Sequence, residues 1–309
     1  MSPRWPAWLA SVVLVSAVAC GGAVPEARAP ITAPPPSLKI FVGGDSRGDE
    51  SHVFPWSLQL AKEHGVRAFF FLGDMEAKPD QQAHFVAELD AADAGAFPFF
   101  PLPGNHDVAK RDLGKDADPT KRADAEAHFR AAFLGVPRTP AKSAFDDKIV
   151  YSVDVESIHF VALDNVSQPG FGADQLAWLA RDLHEAVTRA KHVLVGMHKP
   201  LAKNGFTTHS MDEDGVAAVA DSDAALSLIQ AAHVEAIFVS HFHGYAKLST
   251  GGIPTYVTGG LGAPLDDKHG ADVAIHHVLE LERVADDQPL RVTVLKFPGA
   301  AHFGAEHGE

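Results

Sequence analysis

One cysteine, Cys20, stands in 309 residues, so no disulfide can form within the chain and the core rests on packing. Nor can a thiolate cluster hold a structural zinc. Long apolar spans are absent too, which excludes a membrane bundle. Basic residues are few: 26 Lys and Arg face 40 Asp and Glu, for a formal charge of −14. A surface of that sign repels phosphate backbones, so no nucleic-acid partner is expected. No internal repeat is visible. What is present in quantity is apolar side chain, 46% of the total, which excludes disorder throughout and can fill one large core or two small ones.

The N-terminus has the form of a signal peptide. Arg4 precedes an apolar run from Trp8 to Ala19 that is too short to span a bilayer. The run closes on Ala17-Val18-Ala19-Cys20-Gly21-Gly22, which resembles a bacterial lipoprotein signal. That resemblance implies a lipidated Cys20 as the only link to a membrane. The usual leucine three residues before the cysteine is Ala17, and ordinary cleavage after Ala19 is the competing reading. Both imply export to the cell envelope, lipid-anchored or periplasmic. Residues 20–37 are rich in Ala and Pro and read as an extended tether. One domain is expected over 38–300, then a polar tail over 301–309.

Within the domain, strands and helices alternate. Apolar runs predict strands at Lys39–Gly43, Val66–Leu72, Phe97–Phe100, Val150–Val155, His159–Leu163, His192–Gly196 and Ala236–Val239. Helical spacing is present over Val53–His64, Gln81–Ala92 and Ala173–Val187, and Asp221 is expected to cap a helix running to Ala232. Residues 108–146 read as a polar insertion with a helix over Ala123–Leu134, and residues 201–216 as a polar loop. Hairpins follow as far as Lys296. The class is α/β: a four-layer α/β/β/α sandwich of two mixed sheets flanked by helices.

Five of these strands end in metal-ligand types: Asp45, Asp74, Asn105 with His106, His198, and His241 with His243. Residues just past the carboxyl ends of strands converge on one crevice in an α/β sheet. Carboxylate, amide oxygen and imidazole together suit divalent zinc, manganese or iron. Singly, each signal is weak. Buried aspartates at strand ends are usually turn residues, and most of the 18 histidines read as ordinary structural or solvated side chains.

The fixed order of the set resembles the calcineurin-like metallophosphoesterase family, from about Leu38 to Leu265. Tyr151-Ser152-Val153-Asp154, His159-Phe160-Val161-Ala162-Leu163-Asp164, Gln175-Leu176-Ala177-Trp178-Leu179 and Gly259-Gly260-Leu261-Gly262-Ala263-Pro264-Leu265 extend the likeness. It implies two adjacent divalent ions acting on a small phosphomono- or phosphodiester through a metal-bridging hydroxide. Asp45 and His243 would bind the first ion, Asp74 would bridge, and Asn105, His198 and His241 would complete the second. His106 would serve as general acid. Two cations about 3.5–4 Å apart can clamp both oxygens of an in-line displacement.

Two positions depart from the pattern. The family's first motif reads Asp-x-His, but Arg47 holds the histidine's place, and a guanidinium cannot bind a cation. The residue that usually orients the acid is replaced by Ala77, leaving Glu76 or Asp107 as substitutes. Three readings stand: Arg47 grips a substrate phosphate while water fills the gap; the enzyme is mononuclear or slow; or the pocket binds phosphoryl ligands without turnover. Lys199, Asn204 and His209 lie in the loop after His198, where either substrate selection or simple exposure is open.

Overall fold

Strand β1 (Leu38–Gly43) is flanked on both sides, by β2 (Ala68–Phe71) in parallel and by β10 (His277–Arg283) in antiparallel. With β3 (Phe99–Pro101) and β11 (Arg291–Lys296) they form a five-stranded mixed sheet, ordered β11-β10-β1-β2-β3. A second, six-stranded mixed sheet runs β4-β5-β6-β7-β9-β8. Its strands are β4 (Tyr151–Val155), β5 (Ile158–Ala162), β6 (His192–Gly196), β7 (Ala236–Val239), β8 (Tyr245–Thr250) and β9 (Ile253–Thr258). The computed structural model describes residues 37–75, 82–92, 96–108, 119–205, 209–266, 268, 270 and 272–300. The expected signal peptide, Cys20, nearly all of the tether, Glu76, Ala77 and the tail lie outside them.

Alternation along the second sheet makes the layers. Phe160, Leu194, Phe238 and Tyr256 point into the core shared with the first sheet. Their neighbours Val161, Val195, Ile237 and Val257 point outward, under α5 (Gly172–Arg189) and α6 (Val216–Ala231). Phe70 on β2 stacks on Phe160 on β5, ring centroids 3.8 Å apart, and ties the two sheets together. On the far side of the first sheet, Phe71 and Phe99 meet Phe54 of α1 (Val53–His64) and Phe85 of α2 (Gln82–Ala91). The result is the expected four-layer sandwich.

Helix α1 occupies its expected bounds because both ends are marked. The Asp49 carboxylate accepts the amides of Val53 and Phe54, and Gly65, at φ 62°, closes the last turn onto Ala61 and Lys62. Elsewhere the structure corrects the reading. Helix α6 begins at Val216, so Asp221 lies inside it, and its carboxylate accepts the amide of Gly172 instead. The loop over 201–216 contains a short 3₁₀ turn, Met211–Asp214. Helix α4 (Pro119–Phe133) starts earlier than expected, with proline at its first position. It buries Phe129 and Phe133 against α2 rather than only covering the surface. A single turn, α3 (Asn105–Val108), precedes it.

Candidate metal centre

Parallel pairing aligns the strand ends. Gly43 lies beside Phe71, and Phe71 beside Pro101; in the second sheet Gly196 lies beside Phe238. Asp45, Asp74, Asn105, His198 and His241 therefore leave their strands at one edge. The backbone there is unusual: Asp45, Asp74 and His241 take φ of 59°, 57° and 69°, a left-handed region that few non-glycine residues occupy. Two glycines allow the closest approach. A Cβ on Gly104 would fall 2.2 Å from both the amide nitrogen and Oδ1 of Asp74, and one on Gly73 would fall 2.3 Å from the Gly104 nitrogen.

The side chains form two sets that share Asp74. Asp74, His198 and His241 offer ligand atoms within 4.8 Å of one another, and so do Asp45, Asp74 and His243. In the set around His198, the Nδ1 of His198 lies 2.7 Å from the Leu72 carbonyl, which can only accept, so Nδ1 carries the proton. Nε2 then presents a lone pair 3.0 Å from Asn105 Oδ1, 3.2 Å from His241 Nδ1 and 3.6 Å from Asp74 Oδ1. Two acceptors, Asn105 Oδ1 and Asp74 Oδ1, thus face the Nε2 lone pair in a buried space, an arrangement that a bound cation would resolve. Burial pushes the His241 imidazole well below its ordinary pKa, with His198 and Lys199 adding to the effect, so the ring is neutral. Burial alone would raise Asp74, but His198, His106 and Arg47 outweigh it and hold the carboxylate well below its usual range.

The set around His243 differs. Asp45 Oδ2 accepts the Ser240 hydroxyl and the amide of His241 at 2.9 Å, while Oδ1 is buried without a hydrogen-bond donor and 3.4 Å from His243 Nε2. His243 Nδ1 lies 2.8 Å from the Pro264 carbonyl and must donate to it. Arg47 reaches into this set, with Nη2 3.1 Å from His243 Nε2 and Nε 3.5 Å from Asp74 Oδ2. Its Nη1 lies 3.3 Å from His106 Nδ1.

Arg47 therefore stands beside His106, where the sequence offered Glu76, outside the described residues, or Asp107. Asp107 instead faces inward, its carboxylate accepting the amides of Gly104, Asp74 and Met75. Burial and the Asp74 charge push its pKa well up. A guanidinium only donates, so His106 Nδ1 is the acceptor and its proton sits on Nε2, 3.9 Å from Asp74 Oδ2.

A cavity of about 160 Å³ opens beside Asn105, lined by Arg122, Asn165, Gln168, Lys199 and Asp214 among others. Lys199 Nζ pairs with Asp214 at 2.6 Å. The ring of His209 lies 5.6 Å from that of His241, whereas Asn204 turns onto the Leu201 carbonyl. Ser240 and the Leu72 and Pro264 carbonyls went unread in the sequence. Ser240 adjoins His241, but backbone acceptors leave no compositional signal.

A family model for calcineurin-like phosphoesterases matches residues 44–245. The chain belongs to the calcineurin-like phosphoesterase family. A search of curated proteins finds no match. Solved structures sharing the fold include purple acid phosphatase PPD1 from yellow lupin (Lupinus luteus), at TM-score 0.62 and 16% identity over 81% of this chain and 50% of that one. This chain thus spans half the length of that phosphatase. PhoD matches at TM-score 0.59 and 14% identity, over 85% and 69% of the two chains. A dimetal phosphatase from Danio rerio matches at 0.53 and 13%, over 84% and 99%. The family implies divalent metal ions, and the set around His198 fits one: two imidazoles, a carboxylate and an amide oxygen, with the His198 tautomer fixed by Leu72.

Proposed function

We propose that this calcineurin-like phosphoesterase hydrolyses small phosphomono- or phosphodiesters with a divalent ion held by Asp74, Asn105, His198 and His241. The observation that carries the reading is the convergence on His198 Nε2 of two acceptor oxygens, Asn105 Oδ1 at 3.0 Å and Asp74 Oδ1 at 3.6 Å, with His241 Nδ1 at 3.2 Å. Manganese, zinc or iron bound there would act as a Lewis acid toward a phosphoryl oxygen and lower the pKa of a coordinated water. The protein's own part is positional. Asp74 is held ionised, and His241 neutral, by their surroundings. His106 would serve as acid in its imidazolium form: with Arg47 turned from Nδ1 the ring would take up a proton there, then pass its Nε2 proton to the departing oxygen and return to neutral imidazole. Lys199 and Arg122, beside Asn105, supply cations along the wall of the small cavity.

The test is turnover of p-nitrophenyl phosphate and its bis-ester by the full chain loaded in turn with manganese, zinc and iron. Activity in the wild type and none in His241→Ala is the expected result. Equal rates in both, or tight phosphate binding without turnover under any metal, would overturn it.

We also propose that residues 1–19 direct export and that Cys20 carries a lipid, on the strength of the Ala17-Val18-Ala19-Cys20 sequence. In the native host the protein should partition into detergent and Cys20→Ser into the aqueous phase; a wild type found in the aqueous phase overturns the anchor.

A further inference from the structure

The ligand set around His243 already contains a cation. Arg47 is led there by its backbone: its amide donates to the Asp74 carbonyl at 3.3 Å, and the Ser46 amide donates to the same oxygen at 3.0 Å. The Ser46 hydroxyl fixes the turn further on the Met75 carbonyl. From that anchor the guanidinium donates to two acceptors, His243 Nε2 and His106 Nδ1, and its Nε pairs by charge with Asp74 Oδ2 at 3.5 Å. Two of the three residues, Asp74 and His243, belong to the set that would hold a first metal ion.

The geometry at His243 decides between a guanidinium and a metal. Pro264 takes the Nδ1 proton, so Nε2 has one lone pair, and Nη2 of Arg47 lies 3.1 Å along it. An imidazole–metal bond, about 2.0–2.1 Å long, uses that same lone pair. Asp45 Oδ1 is left buried without a donor, and one carboxylate oxygen is too few to hold a divalent ion. Arginine is charged at every accessible pH, so it also repels a second cation at this range.

We propose that Arg47 replaces the first metal ion: the protein binds one divalent ion, at Asp74, Asn105, His198 and His241, and the guanidinium supplies the fixed positive charge beside it. Arg47 keeps a quarter of its side chain exposed. A phosphoryl group on the ion can therefore reach the guanidinium, which suits the planar, two-pronged recognition of a phosphate. This rests on the phosphoesterase reading, and narrows it to a substrate held between one metal and one arginine.

The experiment is metal counting on the full chain, stripped with chelator and reloaded with manganese. Elemental analysis and electron paramagnetic resonance are the readouts. The expected wild type holds one ion per chain with the spectrum of an isolated manganese. Arg47→Lys should keep that ratio, and Arg47→His, which restores an imidazole, should raise it to two with a spin-coupled spectrum. Thermal melts confirm that each variant folds. A wild-type ratio of two, or no rise in Arg47→His, overturns the proposal while leaving the phosphoesterase reading intact. No binding of manganese, zinc or iron at all overturns both.

Discussion

Around His198, acceptors face acceptors; around His243, an acceptor faces a guanidinium. The two sets share Asp74 and sit at the same edge of the same two sheets. One adds two imidazoles and the Asn105 amide, the other a second carboxylate, one imidazole and the side chain at position 47. Five strand ends can thus present a cation site, but whether an ion occupies half of it depends on what the first of their loops brings in. In the set around His198 a bound ion would relieve the crowding of lone pairs. In the other set, a permanent cation already does so.

The largest expected effect falls on the side that lacks its own cation. His241→Ala should remove the ion and lower kcat/KM by well over the roughly 10–100-fold that loss of an outer-shell partner costs. Elemental analysis beside a phosphoester assay checks it, and an unchanged ion content would mean the ion sits elsewhere. Next comes the scaffold beneath both sets. Phe70→Ala opens a void between the sheets where Phe70 meets Phe160. It should cost roughly 3–5 kcal/mol, read as a lower melting temperature, and should weaken both sets together.

A third effect separates the site from its surroundings. His277, beneath the loop that carries Gly260, has its pKa pushed down to about 4 by burial. Unfolded, it takes up a proton near 6.5, so acid favours the unfolded chain. Stability of the metal-free protein should therefore fall as pH drops from about 6.5 to 4, by up to roughly 3 kcal/mol from this residue. His277→Gln should flatten that limb in denaturant titrations, leaving the share that belongs to His241. The smallest effect is on the arginine side. Ser240→Ala removes the hydroxyl donor to Asp45 and should cost about 1 kcal/mol while leaving the ion count unchanged. A fall in ion content would mean that Asp45 holds metal after all.

Much of the fold was legible because local signals agreed. Val53–His64 shows helical spacing and ends at a glycine, while Ala236–Val239 is a short apolar run between polar turns. Asp221 misled because an aspartate before an apolar stretch looks the same whether it caps its own helix or accepts an amide from another. The insertion was legible as a helix but not for its packing, because Phe129 and Phe133 are spaced one turn apart within a polar stretch, and only α2 reveals what Phe133 covers. Asp107 was legible as a carboxylate at the site, but its three backbone partners were not.

The order of ligand types at successive strand ends was written in the sequence, since each is a local fact and parallel pairing brings such ends to one edge. The replacement at position 47 was written there too. What tertiary structure alone decided is where that guanidinium goes. Its partners His106 and His243 lie 59 and 196 residues away. Its aim depends on two hydrogen bonds, from the Ser46 and Arg47 amides to the Asp74 carbonyl, and on a proton that the Pro264 carbonyl fixes at the far side of His243. Charge and hydrogen-bonding capacity belong to the residue, but direction belongs to the fold.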